Sequence, residues 1–228
     1  EELFGIINYD KDLSEDFDIT ASAGFEIRSF NAKSINASTA GGLSTHGFYS
    51  LNTSIDRPNV SSGRTNTQRK SIFTKASLGY KGFLYLDASA RLDWSSTANP
   101  LDNRVETYGG SASFIFSKLL PQNDIISFGK VRSSFAQAPR FPGAYALGEV
   151  YGVGTPYGSN GTLSVGGTYI NPQLMGGVRQ EFEIGTELKL FKNRLGVDLT
   201  YYNKKDKETP VRVSLDPATG FGSTFSNS

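Results

Sequence analysis

Apolar and polar residues alternate one by one along this chain, in segments of about ten residues. This is the period of a strand whose two faces meet different surroundings. Between 178 and 190 the even positions hold Val178, Phe182, Ile184, Leu188 and Leu190, interrupted only by Gln180 and Thr186. The odd positions there hold Arg179, Glu181, Glu183, Gly185, Glu187 and Lys189. Leu84, Leu86, Ala88, Ala90, Leu92 and Trp94 share one face, opposite Asp87, Ser89, Arg91 and Asp93. Phe17, Ile19, Ala21, Ala23, Phe25 and Ile27 oppose Asp18, Thr20, Ser22, Glu26 and Arg28, and Ile72, Ala76, Leu78 and Tyr80 oppose Ser71, Lys75 and Ser77. Alternation is weaker over 108–116 and 195–201. It is mixed over 125–137, where Lys130 and Arg132 lie opposite Val131, Ser133 and Phe135. With a first strand at about 3–9, the pattern predicts eight strands, and helical periodicity is nearly absent.

The connections take turns in length. Short ones fall at 10–15, 81–82, 119–124 and 192–193; long ones, rich in Gly, Ser, Asn, Thr and Pro, fall at 31–68, 95–106 and 138–177. Short turns at one end and long loops at the other mark an outer-membrane barrel. The predicted fold is therefore all-β: an antiparallel transmembrane β-barrel segment with long extracellular loops and short periplasmic turns. A soluble sandwich also alternates, because its sheets bury one face and wet the other. Two features favour lipid. The polar face is densely charged, as a water-filled lumen permits, and Tyr80, Phe83, Tyr85, Phe191 and Trp94 gather near strand ends. Sheet enters a bilayer only when it closes. A chain that opens with Glu1-Glu2-Leu3-Phe4 in mid-strand and finishes at Ser228 in a loop reads as a slice of a larger wall.

Composition narrows the chemistry. The longest uninterrupted apolar runs are four residues, 83–86 and 144–147, far below the ~20 that a membrane helix needs. A net charge of +1 gives no electrostatic reason to expect nucleic acid. With no cysteine and one histidine, a disulfide framework, a cysteine-based zinc site and chemistry needing a thiol or two histidines are excluded. Apolar residues make up 37% of the 228 and glycine supplies 25, which is poor for a conventional core and good for turns. His46 reads as a solvated loop residue. No Gly-x-Ser-x-Gly elbow surrounds a serine, and Gly152-Val153-Gly154 opens no helix. No acid and base pair stands out. The chain is predicted not to be an enzyme and to take no cofactor.

Several stretches carry a resemblance. They are Ala23-Gly24 with Glu26-Ile27-Arg28, Gly41-Gly42-Leu43, Tyr49-Ser50-Leu51-Asn52, Leu78-Gly79-Tyr80 and Leu84-Tyr85-Leu86-Asp87. Ala90-Arg91-Leu92-Asp93-Trp94-Ser95-Ser96-Thr97 and the run from Phe128-Gly129-Lys130 to Phe135-Ala136 follow. Glu183-Ile184-Gly185, Asn193-Arg194-Leu195 and Leu199-Thr200-Tyr201-Tyr202-Asn203 complete the series. In this order the set resembles the barrel of SusC/RagA-type TonB-dependent transporters of Bacteroidota, over nearly the whole chain. Two departures fall in or beside the 138–177 loop: Gln137-Ala138-Pro139-Arg140-Phe141-Pro142 follows Ala136, and Met175-Gly176-Gly177 follows Asn171-Pro172-Gln173-Leu174.

The resemblance implies a 22-stranded barrel around an N-terminal plug, energised by the TonB-ExbB-ExbD system and capped by a SusD-like surface lipoprotein that captures glycans or peptides. On that basis residues 1–228 are a partial transporter barrel of about eight strands in a Gram-negative outer membrane, with the plug domain and TonB box outside this sequence. The implied function is import of nutrient oligomers. A passive porin or structural outer-membrane barrel, and a secreted carbohydrate-binding β-sandwich, are the alternatives. About forty residues without predicted structure from Pro139 to Gly177 mark a loop that binds, gates or is disordered. Its Phe141, Tyr145, Tyr151, Tyr157 and Tyr169 suit contact with a substrate or partner, or packing of the loop itself. Arg91, Asp93, Lys130 and Arg132 are predicted to face the lumen, where they touch a passing solute or bridge to one another and to a plug.

Overall fold

The computed structural model describes residues 1–121, 124–154 and 156–228. In chain order its strands are β1 (Glu2–Asp12), β2 (Phe17–Leu43), β3 (Ser54–Tyr80), β4 (Leu84–Asn99), β5 (Asp102–Phe114), β6 (Ile126–Arg140), β7 (Tyr151–Val153), β8 (Leu163–Val165), β9 (Thr168–Tyr169), β10 (Gly177–Leu190), β11 (Leu195–Lys207), β12 (Pro210–Ser214) and β13 (Ser223–Asn227). Eight of them form one antiparallel sheet in the order β1-β2-β3-β4-β5-β6-β10-β11, the eight that alternation predicts. Strands β12, β13 and β9 make a small separate sheet, and β7 and β8 a two-stranded one. Among the described residues β1 and β11 each pair along one edge only, so the sheet is open.

Register sorts the side chains onto two faces. Ser71 lies level with Glu26 and Asp93, Ser77 with Thr20 and Asp87, and Arg132 with Ser113 and Gly185. Most charged and hydroxyl residues of β2 to β11 therefore share one face, with Lys70, Arg104 and Glu106 among the exceptions on the other. On the other face Ile7, Phe25, Ile72, Leu86, Phe135, Ile184 and Leu199 all stand exposed, up to 79% for Ile7. Among the described residues only Ala98, Val105 and Leu174 are buried hydrophobic residues. The greasy sides do not pack on one another, so no sandwich interior forms. Burying a large apolar side chain yields about 1.5–3 kcal/mol, and an exposed band of this size requires lipid or a further protein layer to cover it.

The short turns follow from local backbone chemistry. Lys81 and Gly82 both take positive φ, 47° and 64°, as the tightest hairpin turn demands. The Lys81 ammonium lies 3.4 Å from the Asp16 carboxylate across the neighbouring turn, and its hydrogen bond to Asp16 raises its pKa above the ordinary lysine value. That contribution is fully present below the unfolded lysine pKa and disappears as pH rises through the raised one. Beside these turns the rings of Phe17, Tyr80, Phe83 and Phe114 form a continuous row, with successive centroids 4.6, 5.4 and 6.0 Å apart. The row lies at one rim of the apolar band, where a transmembrane barrel carries an aromatic girdle. Of the 119–124 connection, residues 122 and 123 lie outside the described residues.

Two predicted long loops are strand instead. The 95–106 segment carries β4 to Asn99 and restarts as β5 at Asp102. The 31–68 segment is the distal part of β2 and β3, each 27 residues long. At about 3.3 Å per residue each runs roughly 90 Å, whereas a bilayer takes about 9–11 residues of tilted strand. The β1 pairing stops at Arg28 and the β4 pairing at Arg69, so beyond them β2 and β3 continue as a two-stranded ribbon. Near its tip the register shifts after Ser38, opposite the region of Pro58. A proline donates no ladder hydrogen bond and fits such an irregularity. Alternation fails over this ribbon because water meets both sides while pairing continues.

Facing makes a paired prediction. Ala88→Arg, on the apolar face, is expected to cost about 2–4 kcal/mol in equilibrium unfolding from bilayers if it lies near the midplane. The neighbouring Ser89→Arg, on the polar face, is expected to cost far less. Equal losses at the two positions would refute the facing.

Candidate functional site

The polar face is wired internally. The Arg91 guanidinium donates to Glu26 at 2.7 Å, to both Asp93 oxygens at 3.0 and 3.1 Å and to the Ser71 hydroxyl at 2.8 Å. Ser71 in turn donates to Asp93 at 2.7 Å. Asp93 is fully buried, which is tolerable because a carboxylate in low dielectric needs this paired and hydrogen-bonded company. Glu26 also binds Arg28 at 2.6 Å. Asp87 accepts from Ser77 and from Ser111. Arg132 donates to Asp198 and Thr200 at 3.0 and 2.8 Å across an intervening Gly185.

Register brings all four predicted lumen residues, Arg91, Asp93, Lys130 and Arg132, onto this one face. Arg91 and Asp93 bind each other directly, and Arg132 bridges to β11. Phe4 and Phe73 also lie on this face, their rings stacked 6.0 Å apart, with the Arg91 guanidinium over Phe73 at 5.7 Å. Glycine at position 24 permits this, since a Cβ there would sit 2.6 Å from the Phe73 ring.

The 138–177 segment is organised rather than irregular. Leu174 is wholly buried. Phe141 covers Gly176, where a Cβ would fall 2.5 Å from Val105 and 2.9 Å from Phe141, and the Arg69 guanidinium sits 5.1 Å above the Phe141 ring. Asn99 donates to the Pro172 carbonyl at 3.0 Å. The β12–β13 hairpin holds the other side. Asn227 accepts from the Met175 amide and donates to its carbonyl, both at 3.0 Å, and Asn171 donates to the Phe225 carbonyl at 3.1 Å.

Above this anchor the loop and hairpin enclose a cavity of about 560 Å³ lined by Tyr145, Glu149, Tyr151, Tyr169, Ile170, Phe221 and Phe225 among glycines and small residues. Tyr169 and Phe221 meet edge to face with centroids 5.4 Å apart. Three of the five predicted loop aromatics, Tyr145, Tyr151 and Tyr169, thus converge. Phe141 lies below them in the anchor. Tyr157 stands outside, 84% exposed, in a short turn closed on Asn160. The Tyr145 hydroxyl also accepts from the Asn66 amide at 3.0 Å, tying the loop to β3. Phe221 and Phe225 were missed because the region after Tyr201 reads as a closing loop; a signal was present in the turn residues Asp216-Pro217 and Gly220 between Val211, Val213 and those two rings. Asp216 caps that turn through the Ala218 amide at 2.8 Å, and Gly220 takes φ 80°.

Among solved structures, the RagAB peptide transporter superimposes with a TM-score of 0.82 at 21% identity, over 99% of this chain and 26% of that one. The fold is that of a barrel segment of a TonB-dependent receptor. The TonB-dependent receptor P26 of Formosa agariphila is 27% identical over 235 residues, 97% of this chain and 23% of its own length. The siderophore receptor PirA of Pseudomonas aeruginosa shares the RagA-type wall more distantly, with a TM-score of 0.58 at 15% identity, covering all of this chain and 36% of PirA. No protein-family model matches the chain. The chain spans about a quarter of the length of the first two relatives. In this wall Asn171-Pro172-Gln173-Leu174 is a structural staple, since Asn171 caps its own turn through the Gln173 amide at 3.0 Å and Leu174 fills the anchor.

The anchor is testable. Leu174→Ala is expected to cost about 2–5 kcal/mol locally. It should raise proteolytic cleavage and amide exchange across 143–170, and leave exchange in β3 and β4 unchanged.

Proposed function

We propose that this chain is eight strands of the barrel of a longer outer-membrane importer, whose plug and TonB box lie in residues outside it. The observation that carries the reading is one sheet with an uncovered apolar face and a densely ion-paired polar face. An aqueous passage enclosed by lipid calls for this division. On this reading the apolar face meets outer-membrane lipid. The polar face lines the path of the solute, and the charges of Arg91, Asp93 and Arg132 are already neutralised by one another or by neighbours. A wall that satisfies its own charges lets an oligomer slide past without a deep electrostatic trap.

The loop cavity is the proposed first contact for an uncharged part of a nutrient oligomer, a sugar ring or an apolar peptide side chain. Its aromatic rings provide stacking faces, and Glu149 is the one acidic group on its wall. By analogy with the RagAB peptide transporter, a SusD-like lipoprotein covers this end, and the TonB-ExbB-ExbD system supplies the energy at the other. No step requires bond chemistry.

The test uses the full-length transporter in its own cell envelope, offered labelled peptide and glycan oligomers. Uptake is expected to cease without TonB, and Tyr151→Ala with Tyr169→Ala is expected to weaken oligomer binding about tenfold, from the 0.5–1.5 kcal/mol that each aromatic contact carries. Uptake that continues at full rate without TonB would instead assign a passive pore.

A further inference from the structure

The cavity between loop and hairpin carries one carboxylate, Glu149, and no cation. A second pocket, of about 330 Å³, has the reverse charge. Phe141 and Ala144 of the loop wall it, while the next residue, Tyr145, belongs to the first cavity. Facing them are Arg28 of β2, Arg69 of β3, and Ser95 and Thr97 of β4, and no carboxylate is part of the lining. Register accounts for the gathering. Arg69 lies level with Arg28 on one side and Ser95 on the other, and it stands two residues along β3 from Ser71, so it belongs to the polar face.

The two guanidiniums of the pocket are not equivalent. Arg28 is held by Glu26 at 2.6 Å and by Glu2 at 3.2 Å. Arg69 is exposed, and among the described residues it has no carboxylate within ion-pair distance and no hydrogen-bond acceptor. Arg28, Arg69 and Arg91 are matched in number by Glu2, Glu26 and Asp93, but all three carboxylates are engaged by Arg28 and Arg91. What Arg69 does have is the Phe141 ring, 5.1 Å away. A ring contact occupies the face of a guanidinium and leaves its N–H edge, the edge that a carboxylate meets with two parallel hydrogen bonds. Ser95 and Thr97 share one hydrogen bond at 2.8 Å, so one of their two hydroxyl hydrogens remains to be given.

We propose that this pocket is a subsite for a carboxylate carried by the imported oligomer, a uronate or an acidic amino acid, with Arg69 as the recognising group and the Ser95–Thr97 pair as a further donor. The inference rests on the import reading, which makes the polar face the path of the solute and the adjoining aromatic cavity the seat of an uncharged unit. An oligomer that spans both sets its uncharged unit against Tyr151 and Tyr169 and its charged unit at Arg69. A single uncommitted cation suits a singly charged group. A dianionic phosphate calls for a second cation, and Arg28 is already held.

The test is equilibrium binding to purified full-length transporter with two matched ligand pairs: an end-blocked Ala-Glu oligopeptide against its Ala-Gln counterpart, and oligogalacturonate against its methyl ester. At least one acidic member is expected to bind about tenfold tighter than its neutral counterpart, as charge-assisted hydrogen bonds give, by a margin that shrinks as salt rises. The pair that shows the margin identifies peptide or glycan as the source of the carboxylate. Arg69→Met should bring the ratio to within about threefold, with heat-modifiable gel mobility unchanged. Arg69→Lys keeps a cation beside Phe141 but loses the fork, and it tests the same point should the anchor need that charge: its ratio is expected to fall about threefold. Equal affinity within both pairs, or a ratio that neither substitution lowers, would overturn the proposal and leave the import reading standing. A transporter that binds none of these ligands, in cells that take up oligomers at full rate without TonB, overturns the import reading itself.

Discussion

A peptide group that enters hydrocarbon without a hydrogen-bond partner costs several kcal/mol, and a strand carries such groups along both edges. The ladder from β1 to β11 meets that demand between neighbouring strands. Its outcome is a sheet satisfied everywhere between neighbours, with only the outer edges of β1 and β11 unpaired among the described residues. Side-chain chemistry follows from that geometry. With the backbone satisfied edge to edge, each residue has one choice, inward or outward, and alternation is the record of it.

Stability is therefore distributed differently from a globular domain. Among the described residues the buried hydrophobic side chains are Ala98, Val105 and Leu174, the last two in the small anchor that holds a loop and not the wall. The wall's interior specificity comes from Arg91, Glu26, Asp93 and Ser71, whose mutual bonds remove the penalty of a carboxylate with no access to water. Glycines at 24 and 185 serve the same face, letting a ring or a guanidinium cross an adjacent strand.

Legibility along the chain tracks how different the two sides of each strand are. Residues 178–190 and 84–94 separate cleanly into greasy and charged faces, and both strands are present. Residues 31–43 and 54–68 are mostly Asn, Ser, Thr and Gly, with Lys33, Ile35, Val60 and Arg64 scattered among them, so the periodic signal fades although the pairing does not, and a loop was expected where a ribbon stands. Convergence of Tyr145, Tyr151 and Tyr169 was legible only as composition, because their meeting depends on a hairpin more than forty residues later in the chain. Phe141 looked equivalent to these tyrosines. What sets it apart is Gly176 beneath it, a contact between distant positions that no local pattern announces.

The equal wetting of both sides of the distal ribbon has an evolutionary corollary. In the alternating band, losing one residue from a strand would turn every later side chain to the wrong face. Past Arg28 and Arg69 the same deletion inverts far less, since most residues there are Asn, Ser, Thr or Gly and even Ile35 and Val60 stand exposed. The length of the ribbon can thus drift by small insertions and losses while the wall beneath stays in frame.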